Sequence, residues 1–206
     1  MDALTLDISA LRDELTAGNA RLIAIDGRGG SGKSTLARQL VEGWPKAVVI
    51  EMDDFYRPIA ERARRPAVHG ANLDRERLVK GVLEPLKSGR AARYRRYDWD
   101  EDRLAEWHQV PADAVVFVEG VYSTSQQLRG YFDYAIWVEC PYDLRLQRGI
   151  ERDGAPGRAV WVEEWMPAEQ RYVEAERPDA HADLVLDGSG AAAAGVVFKV
   201  LVSTPR

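Results

Sequence analysis

Residues 24–35 read AIDGRGGSGKST, four glycines around a single lysine. Glycines let a short loop turn its N–H groups inward and form a concave anion site, and a helix opening directly behind the loop adds positive potential. Gly27, Arg28, Gly29, Gly30, Ser31, Gly32, Lys33 and Ser34 satisfy G-x-x-x-x-G-K-[ST] in full, and Thr35 continues the stretch. In that pattern the loop amides cradle the phosphates of a nucleoside triphosphate, the lysine reaches the outer phosphates and the serine hydroxyl ligates magnesium. ATP and Mg2+ are therefore the expected ligands, although the loop is silent on what happens to the phosphate.

Other residues bear on that question. In EMDDFYR two carboxylates, Asp53 and Asp54, stand at the end of an apolar run, where an acidic group can orient an acceptor hydroxyl and take its proton; by themselves the two residues are better explained as a turn. VVFVEG ends in Glu119 before a glycine, which suits a carboxylate that holds magnesium. Arg145, Arg148 and Arg152 recur at helical spacing in DLRLQRGIERD, and Arg158 follows the break DGAPG. Arginines so placed could cap a transferring phosphoryl group, and a solvated basic helix face is the alternative. The only asparagines are Asn19 and Asn72, and neither precedes a lysine, so the guanine-reading N-K-x-D motif is absent.

These groups need a scaffold. Leu4, Ile8, Leu11 and Leu15 predict a first helix stopped at Gly18. Short apolar runs at 21–26, 47–52, 114–120, 134–140 and 182–188 predict five strands, with helices at 33–44, 74–89, 123–129, 141–152 and 159–176. RAARYRRYDW predicts a strand pair or extended arm outside the main sheet, and 194–202 a closing helix or strand. Alternating strands and helices imply an α/β fold with a parallel sheet wrapped by helices.

The 206 residues, 46% hydrophobic and 30% charged, suit one soluble domain. A formal net charge of −5 argues against nucleic-acid or anionic-membrane binding. No run of about eighteen apolar residues predicts a membrane span, and the acidic first residues do not read as a signal peptide. Cys140 is the only cysteine, which suits a reducing cytosol. His69, His108 and His181 lack metal-ligand spacing, and Trp161 and Trp165 are expected to pack rather than read a ligand.

The order GRGGSGKST, DDFYR, NLDRERLVKGVLEPLKSGR, YRRYDW, VVFVEGVY, RLQRGIERD resembles the uridine kinase-like P-loop kinases, which include phosphoribulokinase and the bacterial type of pantothenate kinase. The resemblance spans about residues 20–188. It implies a P-loop NTPase three-layer sandwich with a mainly parallel five-stranded sheet, and an ATP-dependent kinase acting on a small-molecule hydroxyl. It further implies Asp53 as catalytic base, Glu119 as the magnesium-associated glutamate and Arg148, Arg152 and Arg158 as lid arginines, with residues 153–160 as the lid. Tyr56, Arg57, Tyr97 and Trp99 fall in the acceptor-side segments 57–72 and 90–110 or at their edge. Val68, Asp102 and Gly149 stand where uridine kinases carry a ribose-gripping Asp, a base-reading His and a second Arg, which implies an altered acceptor site. A regulatory ATPase, or a module that only binds ATP, remains the alternative.

Overall fold

The computed structural model describes residues 4–64, 69–190 and 198–204. Val68 and the first part of the 194–202 run lie outside them.

Asp7 caps the first helix, α1 (Ile8–Ala17), by accepting from the amides of Ser9 and Ala10. Leu4 is therefore outside the helix, and Leu11 and Leu15 make its buried stripe. There follow β1 (Leu22–Asp26), α2 (Lys33–Val41) and β2 (Ala47–Glu51). The second helix stops short of residue 44, because Glu42 turns extended and Gly43 takes φ 70°. A second long helix, α3, runs through Arg75–Leu78, Val79–Leu83 and Glu84–Lys87. Behind it come β3 (Ala92–Asp98), β4 (Arg103–Val110), β5 (Val115–Glu119) and β6 (Tyr134–Glu139). The chain ends with α4 (Tyr142–Asp153), α5 (Arg158–Val160, Trp161–Trp165 and Met166–Glu176), β7 (Leu184–Asp187) and β8 (Lys199–Ser203).

Both α3 and α5 widen into a π turn over their middle segments. Pro85 and Pro167 explain this. Each proline lacks an N–H and would press its ring on the carbonyl four residues back, at Gly81 and Glu163, and a wider turn relieves the clash.

The main sheet has the order β2-β5-β1-β6-β7-β8. Its first five strands are parallel, as expected, and β8 adds a sixth, antiparallel edge on β7. Alternate residues along a strand face opposite ways. Val116, Val118 and Ile50 therefore pack with Leu78, Val82 and Leu86 of α3, while Phe117, Ile23 and Ile25 pack with Leu36 and Leu40 of α2 and Leu11 and Leu15 of α1. The chain leaves central β1 for one side of the sheet and crosses to the other at β6, so a crevice opens at the carboxyl end of β1.

The basic arm is a separate hairpin of β3 and β4, with a register shift between Arg95 and Tyr97. Simple alternation would put Tyr94 and Tyr97 on opposite faces; the shift buries both. The expected helix at 123–129 does not form. Asp26 takes the amides of Tyr122 and Thr124, and Tyr122 sits at φ 73°, so the segment closes into successive turns instead. Among the described residues no helix is long and apolar enough to cross a membrane.

Candidate active site

The loop after β1 folds back over the crevice. Gly30 (φ 74°) and Gly32 (φ 105°) hold conformations that strain any residue with a Cβ, and a Cβ on Gly30 would also stand 2.6 Å from the Arg145 carbonyl oxygen. The first turn of α2 has neither a side-chain cap nor an acidic residue, which leaves its amides and the positive helix end to an anion. Lys33 is buried and donates from Nζ to the Arg28 carbonyl at 3.0 Å. The Ser31 hydroxyl is buried with no partner among the described residues. A phosphate chain matches these groups.

A ring of buried side chains fixes the loop. The Asp26 carboxylate accepts from the amides of Gly27, Tyr122 and Thr124 and from the hydroxyls of Thr124 and Tyr172, the last at 2.6 Å. Burial raises its pKa, and those hydrogen bonds oppose the rise. Glu169 accepts from the Gly29 amide at 3.0 Å and pairs with Arg145 at 3.2 Å, both side chains only 6% exposed. Arg28 points away from the crevice, paired with Glu139 at 3.1 Å and held by Gln170. Trp161 is buried with its indole against Gly29 and Gly149; a Cβ at Gly149 would overlap the ring.

Asp26 and Glu169 were absent from the sequence-based candidates, yet each left a trace. Asp26 ends an otherwise apolar strand, and Glu169 interrupts the three-residue spacing of Met166 and Tyr172 on a buried helix face.

Four carboxylates gather at the carboxyl ends of β2 and β5. The Ser34 hydroxyl donates to Glu119 Oε1 at 2.9 Å. The two oxygens are hard donors suited to magnesium, with phosphate and water left to complete its coordination. Among the described residues no group of three or more His, Cys, Asp or Glu could hold a metal without such help. Burial raises the Glu119 pKa, while Lys33 and Ser34 lower it. Glu51 is raised likewise by burial and by Glu119, Asp54 and Asp53.

The two aspartates of DDFYR differ. Asp54 accepts from the Tyr94 hydroxyl at 2.9 Å and is tied to the hairpin. The Asp53 side chain accepts no hydrogen bond among the described residues. It is open to solvent on one side and crowded by protein on the others. The crowding raises its pKa, and the nearby charges of Lys33 and Arg152 pull it back.

Of the three arginines expected on a lid, only Arg152 comes near these carboxylates. It pairs with Asp153 at 2.7 Å, lies over the Trp161 ring, and has its pKa raised first by the Asp153 hydrogen bond and further by Asp53 and Glu119. Arg148 instead donates to the carbonyls of Gly30, Gly188 and Ser189, lashing the phosphate loop to the turn after β7. Arg158 is exposed at the start of α5.

On the acceptor side, Tyr56, Tyr97 and Trp99 form one cluster, with ring centroids 4.5 to 6.4 Å apart. The Arg62 guanidinium lies within 5.7 Å of all three rings and donates to the Tyr97 hydroxyl. Asp102 accepts from Tyr97 at 2.7 Å and from the Ile59 amide. Arg57 is committed to Asp74 at 2.8 Å. Arg75, another residue the sequence did not single out, lies over Tyr122 and against Gly70, its Nε and Nη2 buried without a partner among the described residues. The Tyr56–Leu73 bridge and the Asp74 amide bond to Phe55 hold this segment beside the DDFYR turn. His69 and His108 rest on Glu176 and Glu106.

Residues 22–182 match the model of the phosphoribulokinase/uridine kinase family. A uridine kinase of Halobacterium salinarum is 28% identical over 179 residues, 80% of this chain and 78% of that protein. A uridine kinase of Clostridium novyi is 29% identical over 185 residues, 82% and 88% of the two chains. A solved structure described as a possible uridine kinase from Bacillus stearothermophilus superposes with a TM-score of 0.68 at 25% identity, covering 86% of this chain and 96% of that one.

Proposed function

The chain belongs to the phosphoribulokinase/uridine kinase family, and from that premise we propose that it transfers the γ-phosphoryl group of ATP to a hydroxyl of a small metabolite. The observation that carries this is the unengaged Asp53 carboxylate, set among Lys33, Arg152 and Glu119, while its neighbour Asp54 is locked to Tyr94.

Lys33 and the first amides of α2 hold the phosphates. Ser34 and Glu119 would hold the magnesium, which when bound offsets the negative charge of the phosphates. Asp53 orients the acceptor hydroxyl and takes its proton as the phosphorus–oxygen bond forms, and its raised pKa helps it do so. Arg152 faces the charge that gathers between Asp53 and Glu119. Closure over the crevice excludes water, which would otherwise compete for the phosphoryl group.

Tyr56, Tyr97 and Trp99 form the acceptor wall, fixed by Arg62 and Asp102. The Nε and Nη2 of Arg75, without a partner among the described residues, favour an acceptor that carries a carboxylate or phosphate, since a buried guanidinium gains most from a charged acceptor of its hydrogen bonds.

The test is ADP release with magnesium-ATP across neutral nucleosides, sugar phosphates and hydroxy acids, run beside Asp53→Asn. Acceptor-dependent release that the variant abolishes supports the proposal. Hydrolysis that ignores both the acceptor and the substitution would replace it with a regulatory ATPase.

A further inference from the structure

Tyr94 faces Asp54, so Arg93 and Arg95, its neighbours on β3, point to the opposite face of the hairpin. There a cavity of about 720 Å³ opens between α3 and the hairpin. That is the size of a site for one small organic ligand. Arg77, Lys80, Arg90, Arg93 and Arg95 line it, and no acidic residue does. In a chain with a net charge of −5, such a wall does not follow from composition.

The cations are not equivalent. Lys80 is paired with Glu76, and Arg95 donates to the carbonyls of Ala105 and Leu104. Arg90 and Arg93 have no ion pair among the described residues. Arg93 lies 4.8 Å from the centroid of the Trp107 ring, which is itself 58% exposed, and Leu104 and Pro85 line the same cavity. Two guanidiniums without an ion pair among the described residues, one of them over an exposed indole, make a combination that binds a planar ring bearing anionic groups.

We propose that this cavity is a second nucleotide site, separate from the phosphate loop, in which the base stacks on Trp107 and the phosphates pair with Arg90 and Arg93. Arg77 connects it to the crevice. It lines the cavity, and its Nη2 donates to the carbonyls of Asp54 and Tyr56, both at 3.0 Å, on either side of the turn that follows Asp53. An anion in the cavity draws on the same guanidinium and so biases that turn. Binding at this site is independent of the kinase proposal; its effect on turnover rests on it.

Titration calorimetry with ADP and UTP as probes tests the site in the full chain. Two binding events per chain are expected, of which Lys33→Ala removes one and the double variant Arg90→Gln/Arg93→Gln weakens the other at least tenfold with an unchanged Tm. Trp107→Leu is expected to weaken the second event as well. A single event, lost in Lys33→Ala and untouched by the double variant, overturns the site. Inorganic pyrophosphate binding at the second site as tightly as ADP overturns its assignment to a nucleotide.

Discussion

The two walls of the crevice are built differently. The phosphate-loop wall rests on backbone: positive φ at Gly30 and Gly32, an uncapped helix start, and the buried anchors Asp26, Glu169 and Arg145 that hold the loop from behind. The proposed acceptor wall rests on side chains, a cluster of three aromatic rings around Arg62 with Trp99 half exposed. Backbone amides recognise any phosphate chain, whereas side chains must match one partner. On the proposed function, one wall is therefore generic and pre-set, and the other carries substrate identity.

The largest test of this division is Asp53→Asn, which sits between the walls. It is expected to lower kcat by about 10²- to 10⁴-fold while leaving ATP affinity intact, as steady-state kinetics and equilibrium binding would read. Because the folded protein raises the Asp53 pKa, the stability tied to its protonated form is present below the unfolded value and lost as pH rises through the folded one. At neutral pH the variant should consequently unfold at a Tm no lower than the parent. In the parent, activity should fall as pH drops through a pKa above the ordinary aspartate value, and a profile limited at or below that value would break the assignment.

Glu169→Ala strikes the generic wall. It strands Arg145 in a buried site and frees the Gly29 amide. A loss of about 3–5 kcal/mol in denaturant unfolding is expected, and a change under 1 kcal/mol would mean that the loop does not depend on its anchor.

Gly149→Ala sharpens the picture of the loop's tip. The new methyl overlaps the Trp161 indole and must displace it from Gly29. About 1–3 kcal/mol of stability should go with it, together with a shift in tryptophan emission.

Tyr97→Phe is the mildest change, confined to the specific wall. It removes the hydroxyl that links Arg62 to Asp102. A rise of about three- to tenfold in acceptor KM with kcat and ATP affinity little changed is expected, and an equal loss in ATP affinity would erase the distinction between the walls.

How far each wall was legible in the sequence follows from the same difference. The glycine-rich loop, Asp53 and Glu119 lie at strand ends in contiguous motifs, so local pattern and position were enough to place them around one crevice. The 123–129 segment was misread because its apolar and polar spacing permits a helix, and what forbids one is a carboxylate almost a hundred residues away, on Asp26. The partners of Arg148 were out of reach for a related reason. Helical spacing puts it on a basic face, but only the packing of α4 on the loop after β7 turns its guanidinium toward three carbonyls.

By itself, the sequence determined the α/β alternation, the anion-binding loop and the set of acidic strand ends, because backbone conformation and periodicity are properties of neighbouring residues. Only the tertiary structure decided which aspartate of the pair is left unengaged, that Glu169 reaches the loop, that a sixth strand closes the sheet edge and that Trp161 fills the space above Gly149. Each of these depends on which distant side chain arrives within a few ångströms, and that is set by packing rather than by spacing along the chain.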